Sequence, residues 1–181
     1  MNTQKKITLA LACLVAMTGV SDFALAQTPA AAPAAARPPA PPPARSPGIE
    51  LALIAAQTAV TTCTANGYNV SVTVLDAGGV TRLIYANDKA AGGPIDSATK
   101  KAYTALAFKE STDDVAKQQA ADPAVDAKIK ADPKLFARAG GFPLMAGSDL
   151  VGAIGVGGAP GGDKDAICAQ AGIAKIQAML K

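Results

Sequence analysis

Few side chains in this chain are able to do chemistry, because it contains no histidine. That removes Ser–His and Cys–His nucleophile pairs and every imidazole metal site. The remaining acid–base candidates are Asp76, Asp96, Lys101, Tyr103, Asp163 and Asp165. Asp163 and Asp165 stand where a helix begins, and carboxylates there complement the helix dipole. No carboxylate spacing matches a calcium-binding loop, and no metal centre is expected. Gly155-x-Gly157-Gly158 invites a nucleotide reading, but Pro160 stands where a dinucleotide fingerprint needs its third glycine. Gly162 is followed by Asp163 and Lys164 rather than by the Lys-Ser/Thr of a phosphate loop. Glycines at strand ends also let a backbone approach a flat ligand closely. Gly140-Gly141 and Gly157-Gly158 are expected at one rim of a sheet, with Asp76, Lys101, Tyr103 and Thr104, and with Phe108 deeper. The plainer alternative stays open: the glycines make turns, Asp76 caps a hairpin and Lys101 is solvated.

The elements that must position these residues follow from periodicity. Leu53, Ala56, Val60 and Cys63 recur at helical spacing within 49–66, and Gly67 supplies a stop. Val70, Val72 and Val74 alternate with polar neighbours and predict a strand over 69–76. Ala77-Gly78-Gly79 is a tight turn into a returning strand over 80–86. A second helix is expected over 95–109, capped by Asp96 or Ser97, with Ala98, Ala102, Ala105 and Leu106 as its apolar stripe. Residues 111–132 read as short surface helices broken at Pro123 and Pro133. Residues 136–146 lead into a strand, Gly147-Ser148-Asp149 turns, and 150–156 is apolar enough for a central strand buried on both faces. A last helix spans 163–180. The order α-β-β-α-(short helices)-β-β-α predicts an α+β fold: a central antiparallel sheet of two hairpins, about four to five strands, flanked by helices.

The N-terminal 48 residues read differently. Lys5 and Lys6, an apolar run over 7–20 and Ala24-Leu25-Ala26 form a secretory signal peptide over 1–26, with Cys13 inside its discarded apolar region. Residues 27–48 are almost only Ala and Pro and read as a disordered, extended linker. The folded domain is then 49–181, with no membrane span after cleavage and a periplasmic or secreted location. Of 17 basic residues, Lys5, Lys6, Arg37 and Arg45 precede it; of 14 acidic residues, only Asp22 does. The domain is therefore balanced at 13 of each sign, which gives no basis for a nucleic-acid surface. Cys63 and Cys168 remain after cleavage, one in the first helix and one in the last. In an oxidising compartment they are expected to form a disulfide, the alternative being two buried thiols.

VSVTVLDAGG, IDSATKKAYTALAF, RAGGFPLMAG and VGAIGVGGAPGGDKD, in this order, resemble the GlcG/HbpS-like family over roughly 49–178. The resemblance implies an α+β domain that assembles into dimers and larger oligomers, up to octamers. It implies a small-molecule ligand, with haem or a related tetrapyrrole as the expected cofactor in a redox or haem-handling role. Where haem-binding relatives use a histidine on iron, this chain has Tyr68, Tyr85, Tyr103, Met145, Lys101 or Thr104. Asp76, Lys101, Tyr103, Thr104, Phe108, Gly141, Gly157 and Gly158 are the candidate ligand-binding residues. The alternatives are an enzyme or accessory factor for a small hydroxy- or oxo-acid, with Lys101 and Asp76 as its polar pair, and a structural oligomer supporting an exported redox partner.

Overall fold

The structure, a computed structural model, describes residues 44–181. The expected signal peptide and most of the expected linker lie outside the described residues. The elements are α1 (Ile49–Ala65), β1 (Ser71–Asp76), β2 (Thr81–Ala86), α2 (Gly92–Phe108), α3 (Thr112–Ala121), α4 (Pro123–Ala131), β3 (Gly141–Ala146), β4 (Asp149–Gly157) and α5 (Gly162–Ile176), followed by a 3-10 turn over Gln177–Met179. The sheet is antiparallel in the order β2-β1-β4-β3, so the two hairpins meet along β1 and β4. This is the α+β order read from the sequence, with four strands. No described helix is long and apolar enough to cross a membrane.

Strand alternation decides which layer each side chain meets. Val72 pairs with Val156 and Val74 with Ile154, and all four join the core formed with α1 and α5. Thr73 pairs with Gly155 and Leu75 with Ala153 on the opposite face, toward α2. There the Thr73 and Thr99 hydroxyls lie 2.9 Å apart. The core of the first layer is built from small residues: Ala52, Ala55, Ala56 and Ala59 of α1 are fully buried. A side chain at Gly172 of α5 would run into the Ala55 carbonyl, so the two helices cross almost backbone to backbone. Cys63 and Cys168 form a disulfide across this contact, with Cα atoms 5.6 Å apart.

Three local expectations are corrected. Helix α2 begins at Gly92, with Ala91 as its N-cap, not at a cap formed by Asp96 or Ser97. Pro94 is tolerated there because the first-turn N–H groups have no partner within the helix. Helix α4 starts on Pro123, and Asp122 accepts the Ala124 N–H at 2.8 Å to cap it, so this proline opens a helix as well as ending one. The chain also packs on the domain before residue 49. Pro47 is buried, and the Arg45 carbonyl accepts the Ala77 N–H at 2.9 Å, tying this segment to the β1–β2 turn.

Candidate functional site

Helix α2 is the element on which most candidate residues converge, and its seat on the sheet explains the glycines. A Cβ at Gly157 would stand 2.8 Å from the Ala98 amide nitrogen and the Pro94 carbonyl oxygen. One at Gly155 would press on the Ala98 carbonyl and stand 2.6 Å from the Ala102 nitrogen. One at Gly141 would meet the Lys101 carbonyl and stand 2.7 Å from Thr112 Cγ2. Gly158, at φ 124°, faces the Asn69 carbonyl. These glycines let the sheet and its connections approach neighbouring backbone, chiefly that of α2; their close neighbours are protein atoms.

Lys101 points from α2 into the interior. Its ammonium donates to Asp165 Oδ2 at 2.6 Å and to the Val156 carbonyl at 3.0 Å. Asp165 Oδ1 accepts the Ala159 N–H at 3.0 Å. Both side chains are almost fully buried, at 3% and 4% exposure. Burial pushes the lysine below and the carboxyl above their usual ranges, each opposed by the partner. Asp165 therefore does more than complement a helix dipole. No linear signal links two residues 64 apart that meet only across the fold.

Asp76 lies four residues further along β1 than Val72, the partner of Val156, which places it roughly 13 Å from the Lys101 end of the sheet. Its Oδ1 accepts the Gly78 and Val80 N–H groups, both at 2.9 Å, and its Oδ2 accepts Arg82 Nε at 2.8 Å. It is a fully buried hairpin clasp. Lys101 and Asp76 thus have separate partners, and the polar pair that a small-acid reading requires is not assembled. Thr104 is fully buried as well; its hydroxyl donates to the Lys100 carbonyl at 2.8 Å and accepts the Phe136 N–H at 2.7 Å.

That last bond brings the segment 132–138 across α2 and creates a surface that sequence reasoning missed. Tyr103, Phe108 and Phe136 are each half-buried. Each carries a cation near its ring: Lys134 at 5.9 Å from the Tyr103 centroid, Lys128 at 4.4 Å from Phe108 and Arg138 at 5.6 Å from Phe136. The one linear hint was the alternation of Lys134, Phe136 and Arg138, which in extended chain puts all three on one side. The result is three separate ring–cation pairs on α2 and on the segment that crosses it.

The donor atoms available to an iron divide sharply. Lys101 is sealed in its ion pair, and Thr104 in its two hydrogen bonds. Tyr103 donates its hydroxyl to the Gly79 carbonyl at 2.8 Å, at the β1–β2 turn, and keeps its own oxygen lone pairs. Tyr68 and Tyr85 pack against the α1–α5 core, and Met145 is half-buried on β3. Tyrosine is an established haem-iron ligand type, so Tyr103 fits an oxygen-ligated haem. A cavity of about 400 Å³ beside α5 and α3 is lined by Asp113, Asp114 and Asp163 together with Phe142, a sign of charge that disfavours carboxylate-bearing ligands.

The sequence and fold have clear relatives. A double mutant of Streptomyces reticuli HbpS, with two glutamates changed to aspartate, is 38% identical, with 81% of this chain and 97% of that one covered and a TM-score of 0.67. ORFY of Klebsiella pneumoniae is 23% identical over 72% of this chain and 90% of its own, with a TM-score of 0.68. PduOC, crystallised as a haem complex, is 24% identical over 72% of this chain and 95% of its own, with a TM-score of 0.66. No curated protein matches the chain. The family described as haem degrading protein HbpS-like matches residues 48–174. On this match and the 38% identity to HbpS, the chain belongs to the HbpS-like family.

Proposed function

We propose that this protein is exported, self-associates, and binds haem or a related tetrapyrrole on a ledge formed by α2 and residues 132–138. The observation that carries this reading is the set of three half-buried aromatic rings, each with a cation beside it. A tetrapyrrole has a broad apolar face and carboxylates at its edge. Phe136 and Phe108 offer the face contact, while Lys134, Arg138 and Lys128 offer partners for the carboxylates. Tyr103 offers an oxygen to the metal. Bound haem would supply a redox-active iron; the protein's part is to orient it and limit water at one face. PduOC shares this fold and is known as a haem complex, so the architecture is compatible with such a ligand.

Export rests on Lys5, Lys6, the apolar run that follows and Ala24-Leu25-Ala26. Self-association is supported by the β1–β2 hairpin, where Val80 and Ile84 are 55% and 46% exposed along an edge strand. Titration of ferric haem into the mature protein tests the binding reading. A saturating shift of the Soret band supports it, and a linear, featureless response contradicts it.

A further inference from the structure

We propose that the Cys63–Cys168 disulfide is a thiol-exchange site open to low-molecular-weight thiols, with attack at the Cys168 sulfur. The two halves of the bridge sit in different surroundings. Cys63 is fully buried, and the chain folds back over it: its carbonyl accepts the N–H groups of Asn66 and Tyr68, both at 3.0 Å. Cys168, itself 2% exposed, instead lines a cavity of about 260 Å³ whose wall is Asn66, Tyr68, Asp163, Lys164 and Ile167. Lys164 precedes Cys168 by one helical turn on the same face of α5, and its partner there is the exposed Asp163 at 3.4 Å. The adjoining Ile167 is 59% exposed and gives the mouth an apolar lip. A cation beside a sulfur-lined cavity attracts and stabilises a thiolate, the form of a thiol that attacks disulfides.

The exchange balances without any further oxidant. A thiolate RS⁻ bonds to Cys168 Sγ, and the Cys63–Cys168 bond breaks. The electron pair leaves on Cys63 Sγ, which takes a proton from solvent. The product is a mixed disulfide at Cys168 and a buried thiol at Cys63. A second equivalent of thiol, attacking the mixed disulfide, releases RSSR and leaves both cysteines reduced.

Reduced glutathione is the probe. The oxidised full chain is incubated with it under native conditions, free thiols are trapped, and peptides are mapped by mass. The expected product is glutathione on Cys168 and a trapped free thiol on Cys63, at a rate that rises linearly with glutathione. Lys164→Glu should slow the reaction several-fold with no loss of melting temperature, because the lysine is at the surface. The proposal is overturned by a label on Cys63, by a rate that levels off with glutathione at the rate of unfolding, or by a Lys164→Glu protein that reacts as fast as the parent.

Discussion

Lys101 and Asp165 meet at 2.6 Å between α2 and the first turn of α5, each less than 5% exposed. Neither charge is repaid by water, so each depends on the other and on the Val156 carbonyl and Ala159 N–H. The pair fixes how α2 and α5 meet around β4.

Removing one partner therefore strands the other. Asp165→Asn and Lys101→Met should each lose about 3–5 kcal/mol, whereas the double replacement Lys101→Met with Asp165→Asn should lose clearly less than the sum of the two. Chemical denaturation of the four proteins as a double-mutant cycle measures this. Additive losses would show that the two groups act independently.

The two single variants should respond to pH in opposite directions. In Lys101→Met, Asp165 is buried without its cation and its folded pKa stands above the unfolded value near 3.8. Its penalty is full above the folded pKa and fades as pH falls through it, so the deficit relative to the parent narrows on acidification. In Asp165→Asn, the folded pKa of Lys101 stands below the unfolded value near 10.5. Its penalty is full below the folded pKa and fades as pH rises through it toward 10.5, so that deficit narrows in alkali. Denaturation midpoints across pH, each referred to the parent, check both signs; parallel curves would contradict them.

Gly155 is where α2 comes closest to the sheet. Gly155→Ala should lose at least about 1–3 kcal/mol, since the added methyl meets the Ala98 and Ala102 backbone, which has no flexible end to give. Gly147, at φ 62° in the β3–β4 turn with open space around it, isolates the backbone effect: Gly147→Ala should lose only about 1 kcal/mol. Thermal melts of the two variants compare them, and equal losses would mean that the contact with α2 is not tight.

Sequence periodicity reveals the layers of this fold because they are built from regular signals: alternating valines in β1, a continuous apolar β4, alanine stripes in α1 and α2. It does not reveal the site. The GxGG run looks like a ligand loop, yet Gly155 and Gly157 are the trough in which α2 lies. Lys101 and Asp76 look like a polar pair, but Asp165 and Arg82 claim them from elsewhere in the chain. The ledge depends on residues 132–138 crossing α2, which follows from the Thr104–Phe136 hydrogen bond and from no local pattern. The disulfide was legible from compartment and count, since the only two cysteines after the expected cleavage site lie in the first and last helices.

That disulfide spans 105 residues and links two helices already in close contact. Replacing both cysteines by alanine should lower stability by about 2–5 kcal/mol, mainly by freeing the unfolded chain. Urea unfolding of the double variant, beside the parent with and without reductant, checks it. A variant that matches the oxidised parent would show that α1–α5 packing alone sets the stability.

Ferric haem titrated into the parent and into a Tyr103→Phe, Phe136→Ala double variant tests the ligand site most directly. The parent should show a saturating Soret shift at one haem per chain. The variant should retain its fold by circular dichroism and lose both the saturation and the parent's band position. A variant that titrates like the parent would contradict haem binding at the α2 ledge.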